Sequence, residues 1–240
     1  MQKSIFGLLP SGFIIRMTIQ IDQIIRSNRK SIGLEISPDA RLIVRSPYFT
    51  PRKFIERIVD QKKIWILYKQ DQAREIAKHI PIKKFIQGEP FLYLGKTFPL
   101  YITDHSHSAL MFNGKTFSLR KKNLAEAKAF FTQWYKKQAL KIYRDRIARY
   151  EKMTGIISNQ LALSNARKRW GSCNSKGNLI INWRLIMAPQ DISDYVIVHE
   201  LIHIEEKNHG KRFWSKVETI LPQYKLYKKW LREKGHLLTL

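Results

Sequence analysis

Cysteine, acidic residues and long apolar runs are all scarce in this sequence. Its 240 residues include one cysteine, Cys173, which excludes any disulfide within the chain and is typical of a reducing compartment. No uncharged apolar stretch reaches the roughly 18 residues that a membrane-spanning helix needs. We therefore expect a cytoplasmic protein without a membrane-spanning segment.

Acidic residues are outnumbered: 19 Asp and Glu stand against 44 Lys and Arg, which gives a net charge of +25. The excess is largest in residues 51–150, which carry 22 basic and 8 acidic side chains. Such a surface attracts polyanions in a salt-dependent way, so nucleic acid and nucleotides are candidate partners. A lysine-rich surface that faces only water explains the same charge, because net charge reports on association and not on fold.

Apolar residues make up 44% of the chain and aromatic residues 12%, which excludes a generically disordered protein. Residues 1–16 lack the pattern of a signal peptide, because Pro10 and Gly12 interrupt the apolar run and Arg16 follows it. We expect these residues to be a non-native or disordered extension, with Met17 as the candidate true start.

The residue pattern over 17–121 predicts an antiparallel, β-rich region with long helices. Strand-type residues at 31–36 and 41–45 flank a turn cluster, which indicates a hairpin. An apolar face through 50–79 indicates a helix, and four further strands alternate between residues 91 and 119.

Residues 122–240 form the second predicted domain. Their apolar spacing first predicts a long helix over 124–153. Short strands and three more helices follow, at 160–163, 169–172, 178–182, 192–204, 211–221 and 226–234. The long helix also carries a basic stripe, which indicates either a nucleic-acid surface or the solvated side of an amphipathic helix. The stripe consists of Lys128, Lys136, Lys137, Lys141, Arg144, Arg146 and Arg149.

Segment 199–209 holds the strongest functional signal. His199 and His203 stand four residues apart, so on a helix they share one face and can bind one metal ion. Glu200 beside them can take a proton from a metal-bound water, as in the His-Glu-x-x-His pattern. His209 offers a third imidazole, and three protein ligands with one position left for water are typical of catalytic zinc. The alternative is that His199 and His203 are hydrogen-bonded core histidines and that Glu200 lies on a solvated face. The apolar neighbours predict a helix buried on most sides, where unpaired histidines and a glutamate would be costly.

These residues and their neighbours resemble the YgjP-like metallopeptidase family, which is related to the SprT-like zinc proteases. The matching stretches are Arg169-Trp170-Gly171-Ser172-Cys173, Gly177, Asn182-Trp183-Arg184-Leu185, Ala188-Pro189, 195–203 and Asn208-His209-Gly210-Lys211-Arg212-Phe213-Trp214. The resemblance is densest over 167–214. It implies one Zn²⁺ ion held by His199, His203 and His209, with Glu200 as the catalytic carboxylate. Glu206 stands where metzincin proteases have a glycine, so the chain is not assigned to that group.

The resemblance also implies a fold and a substrate wall. The expected class is α+β, with a C-terminal zincin-like domain that contains a short sheet and an active-site helix. In related zinc proteases a strand beside this helix binds extended peptide through its backbone, a sound recognition mode. Trp170, Gly171 and Ser172 are the candidate residues here. Cys173 as a nucleophile is the less favoured alternative, because the glutamate and histidines already have metal spacing.

Three functions remain open from the sequence. The first is a zinc metallopeptidase in which Glu200 removes a proton from zinc-bound water and passes it to the leaving amine. The second is a metal-dependent nucleotide phosphohydrolase, and the third is a non-catalytic, basic nucleic-acid-binding module. Trp183, Arg184 and the tyrosines are candidates for stabilising the developing oxyanion.

Overall fold

The computed structural model describes residues 19–79, 82–105, 108–167 and 169–240. By its internal contacts the chain divides into two compact units, one up to His79 and one from Ile80 onwards. The expected extension at 1–16, with Met17, lies outside the described residues. The domain boundary expected between residues 121 and 122 stays a prediction.

The first unit is a small sheet with two helices. Its strands are β1 (Gln23–Ser27), β2 (Gly33–Ile36) and β3 (Leu42–Pro47), in the order β1-β3-β2. The helices are α1 (Arg52–Gln61) and α2 (Lys63–His79). The sequence predicts one helix here, and the structure breaks it at Lys62. Apolar spacing continues across the break, so the pattern does not reveal it. The buried core consists of Leu42, Val44, Ile55, Val59 and Ile66.

A four-stranded sheet begins the second unit, in the order β4-β5-β7-β6. Its strands are β4 (Pro90–Tyr93), β5 (Lys96–Thr103), β6 (Leu110–Phe112) and β7 (Phe117–Arg120). Gly95, in the turn between β4 and β5, has φ +79°, and a Cβ there would lie 2.9 Å from Pro189. Its amide donates to the carbonyl of Met187 at 3.1 Å. This turn therefore fixes the segment from which the metal-site helix begins.

The long helix α3 (Ala127–Thr154) follows a 3-10 turn (Lys121–Glu126) and ends at Gly155, whose φ is +74°. Its apolar face enters the main core at Phe131, Tyr135 and Tyr143. Arg146, assigned to the basic stripe from sequence, instead forms a two-bond ion pair with the buried carboxylate of Asp194. A charge that pairs inside the protein cannot be told from a solvated one by periodicity alone.

The remaining elements surround the candidate site. The third sheet has β8 (Leu161–Ser164), β9 (Gly171–Cys173) and β10 (Leu179–Asn182) in the order β8-β10-β9, so β9 is an edge strand. Three helices follow: α4 (Gln190–Ile202), α5 (Lys211–Ile220) and α6 (Tyr224–Lys234). Helix α4 contacts α3, α5, α6 and the strands β9 and β10.

The expected α+β class is confirmed. Each of the three sheets found in the described residues combines one parallel pair with antiparallel pairing, namely β1–β3, β5–β7 and β8–β10. Period-two alternation is the same for both kinds of pair, so the sequence pattern does not distinguish them. Among the described residues, none of the helices has the length and apolar character to cross a membrane.

Candidate metal centre

Helix α4 carries the predicted motif in an almost fully buried setting. It begins after Pro189 and ends at Ile202, and ten of its thirteen residues are buried. A helix buried on nearly all sides cannot shift without disturbing the core. His199 lies in its last turn, and His203 follows directly after it in helical conformation (φ −61°, ψ −13°). The two imidazoles therefore stay one turn apart.

His209 reaches the same point from the loop between α4 and α5. Its Nε2 lies 2.9 Å from Nε2 of His199 and 3.1 Å from Nε2 of His203. Three nitrogens bound tetrahedrally to zinc at about 2.05 Å would be about 3.3 Å apart. The structure thus brings all three predicted ligands together, as a group whose ligand atoms lie within 4.8 Å of one another.

The hydrogen bonding of His203 decides which ring nitrogen faces the centre. Its Nδ1 lies 2.9 Å from the backbone carbonyl oxygen of Glu206, which can only accept, so Nδ1 carries the proton. Nε2 of His203 then carries a lone pair, and this atom faces the imidazoles of His199 and His209. Such a convergence of ring nitrogens suits a cation, and a hydrogen bond from the other ring nitrogen, as in His203, is usual for a metal-bound histidine. The donor set therefore fits a divalent metal ion such as zinc.

Aromatic residues surround the three imidazoles. The ring centroid of Phe213 lies 4.9, 4.6 and 4.7 Å from those of His199, His203 and His209.

Burial lowers the pKa of His199 to about 3, with smaller contributions from the two other histidines and from Lys228. Burial also lowers the pKa of His209. His199 and His209 are therefore held in the neutral form, which is the form that binds metal.

Glu200 is buried next to the histidines, and burial raises its pKa to about 7. Arg169 and the backbone N–H of Cys173 favour its charged form and oppose that shift. Strand β9 packs directly on it: a Cβ built on Gly171 would lie 2.6 Å from both Cγ and Oε1 of Glu200. Only glycine leaves room for the carboxylate in this position.

The predicted substrate wall is the edge strand β9 and the residue before it. The backbone N–H of Asn182 donates to the carbonyl of Trp170 at 2.7 Å, so the backbone of Trp170 faces β10. Because backbone direction alternates along an antiparallel pair, Gly171 and Cys173 present theirs to the free edge. Trp170 and Gly171 line the cleft beside Glu200, whereas Ser172 is not among the lining residues.

A cleft of about 340 Å³ opens over the centre. It is lined by Trp170, Gly171, Tyr195, Val196, His199, Glu200, Lys228, Leu231 and Arg232. Sequence reasoning missed the three residues from α6. The sequence does contain one indication of them: Lys228 and Arg232 stand four residues apart on a predicted helix, which places both on one face.

The candidates for oxyanion stabilisation separate in the structure. Tyr195 lines the cleft, 5.9 Å from His199 between ring centroids, and burial raises its pKa to about 12. Trp183 is buried elsewhere and donates to Asn165, and Arg184 bonds the same side chain. Cys173 has a pKa raised mainly by burial, which does not suit a nucleophilic thiol.

Two known proteins match part of this chain. A curated relative, the UTP pyrophosphatase of Escherichia coli strain K12, is 30% identical over 77 residues, or 31% of this chain and 46% of that protein. The chain thus spans about half the length of this relative. The crystal structure of the metallopeptidase zymogen of Pyrococcus abyssi abylysin is 18% identical and covers 40% of this chain and 94% of that one. Its TM-score of 0.36 is too low to support an argument.

A family model carries more weight than either relative. The model described as YgjP-like, metallopeptidase domain, matches residues 30–234, which include the three histidines, Glu200 and both walls of the cleft. Since the match extends over most of the sequence, the chain belongs to the YgjP-like metallopeptidase family, and with it to the metal-dependent hydrolases.

Proposed function

We propose that this chain is a zinc-dependent hydrolase in which His199, His203 and His209 hold one ion and Glu200 is the general base. The observation that carries this proposal is the convergence of three imidazoles beside a buried carboxylate. When bound there, zinc would lower the pKa of the attacking water and polarise the oxygen of the scissile group.

Glu200 has the position and the environment of a general base. Its raised pKa keeps it able to accept a proton from water and to return that proton to the leaving group near neutral pH. Gly171 and the N–H of Cys173 hold the carboxylate against β9. Among the candidates named from the sequence, Tyr195 lines the cleft and can donate a hydrogen bond to the developing oxyanion.

Peptide bonds are the first candidate substrate. The free edge of β9 runs beside Glu200, so an extended peptide could add to it as a further strand. Trp170 and Gly171 would then flank the scissile bond, with the backbone of Gly171 facing the added strand and that of Ser172 facing β10. Membership of a metallopeptidase family supports this substrate class.

Nucleotides are the second candidate, and two observations favour them. The curated relative is named for the cleavage of UTP, and the wall of the cleft opposite β9 carries Lys228 and Arg232. Phosphate groups are well matched to such cations. A nucleic-acid partner for the basic surface and a cytoplasmic location stay predictions of the sequence.

Metal analysis followed by a substrate panel tests the proposal. Purified protein should hold about one zinc ion per chain. Wild type, compared with Glu200→Gln, should turn over either casein and fluorogenic peptides or nucleoside triphosphates. A wild-type protein that takes up no zinc, or a Gln variant with undiminished turnover, would contradict it.

A further inference from the structure

The cleft has two walls of different chemistry. One wall is β9 with its neutral backbone, and the other is the face of α6 that presents Lys228 and Arg232. These two residues stand four apart, so they project from neighbouring turns of the same helix face. The cationic wall is therefore built into the same cleft as Glu200 and His199.

Contacts place the ammonium group of Lys228 close to the metal centre. Its Nζ lies 4.5 Å from the ring centroid of Trp214, and that ring stacks on His209 at 5.7 Å. A cation–π contact of this kind fixes the direction of a long side chain.

The charge of the cleft is poorly balanced. Glu200 is the one carboxylate among its lining residues, against Lys228 and Arg232, and a divalent ion would add two more positive charges. Within the described part of the chain, no carboxylate lies at ion-pair distance from Lys228. Arg232 has Glu233 at 3.7 Å, but both side chains are exposed, so this pair is weak. A ligand that carries negative charge would be attracted to this excess of positive charge.

We propose that Lys228 and Arg232 form a phosphate-binding subsite that takes the polyphosphate chain of a nucleotide next to the metal centre. The proposal rests on the hydrolase function proposed above and decides between its two substrate classes. The guanidinium of Arg232 can donate hydrogen bonds to two phosphate oxygens at once, and the ammonium group of Lys228 adds a localised positive charge. The volume of about 340 Å³ is that of a small-molecule site.

Binding of inorganic pyrophosphate tests the subsite without catalysis. It is titrated by calorimetry into metal-free and zinc-loaded protein in the Glu200→Gln background, where no turnover consumes the ligand. Lys228→Ala and Arg232→Ala should each weaken binding to the metal-free protein by about tenfold, the usual size of a charge-assisted hydrogen bond. Lys229→Ala is the matched control, because Lys229 is exposed on the same helix but does not line the cleft.

Kinetics in the Glu200-containing protein provide a second measurement. With UTP as substrate, the two α6 variants should raise KM with little change in kcat, as expected for a binding subsite. Arg232→Lys should recover part of the lost affinity, because it restores the charge without the two-bond grip. Melting temperatures separate these effects from loss of folding.

Three results would overturn the subsite. The first is that pyrophosphate binds the Lys228→Ala, Arg232→Ala double variant as tightly as it binds the parent protein. The second is that Lys229→Ala weakens binding as much as the two cleft variants do, which would indicate diffuse surface charge. A triglutamate peptide that depends on the pair while pyrophosphate does not would assign the pair to carboxylates. If instead the hydrolase proposal fails, the protein would take up no zinc, but pyrophosphate binding to the metal-free protein would still depend on Lys228 and Arg232.

Discussion

Helices α4 and α6 form two sides of one cleft and are built in opposite ways. Helix α4 is buried over ten of its thirteen residues, whereas in α6 only Tyr224 is buried. The buried helix carries His199 and Glu200, whose positions must be accurate, and the exposed helix carries long cationic side chains. The proposed catalytic residues thus lie on a helix held firmly by the core, and the cations proposed to bind phosphate lie where residues can be exchanged at little cost in stability.

The largest expected effect is loss of the metal. His203→Ala removes one of three converging nitrogens, and the remaining two cannot hold zinc as tightly. Zinc content, measured by plasma emission after dialysis, should fall from about one ion per chain to background, with activity lost in parallel. Exchange of a histidine outside the cleft, His105→Ala, should leave the zinc content unchanged.

Removal of the base separates chemistry from metal binding on α4. Glu200→Gln keeps the shape of the side chain but cannot accept a proton, so kcat should fall by about 10²- to 10⁴-fold while zinc stays bound. Steady-state kinetics on zinc-quantified protein measure both. If zinc were lost together with activity, Glu200 would be acting on the metal and not on water.

The contact between β9 and α4 tests how accurately Glu200 is held. In Gly171→Ala the new methyl would lie 2.6 Å from Cγ of Glu200, so the carboxylate must move. We expect activity to drop on the order of 10²-fold with zinc retained. In the Glu200→Gln background the same substitution should have little further effect, because the two residues then act as one unit. Additive losses would mean that Gly171 acts independently.

The ion pair that anchors α4 to α3 should affect stability more than catalysis. Arg146→Ala leaves Asp194 buried without its partner, which should cost about 3 kcal/mol in the free energy of unfolding. Arg144→Ala, exposed on the same helix, should cost less than about 0.5 kcal/mol. Urea denaturation of both variants measures the difference. If both variants lost the same free energy of unfolding, the ion pair between Arg146 and Asp194 would not be what holds α4 more firmly than α6.

The sequence predicted the α+β class, most element positions and the three histidines that the structure brings together, because these follow from local periodicity and spacing. His199 and His203 are linked by helical geometry, and the break at Asn208-His209-Gly210 allows the third imidazole to return. Contacts between distant segments left no such signal. Lys228 lies nineteen residues beyond His209, and its approach to the cleft depends on how α6 packs on α4. The same holds for Arg146, whose partner Asp194 lies on another helix.

Glu206 holds His203 through its backbone carbonyl, while its side chain pairs with Lys216 at 3.0 Å. A backbone atom does this work for any amino acid, so the metal centre imposes little chemical constraint on position 206. Searches that demand a glycine there would overlook chains such as this one. A better fingerprint would combine the spacing of the three histidines with a glycine where the edge strand meets the base.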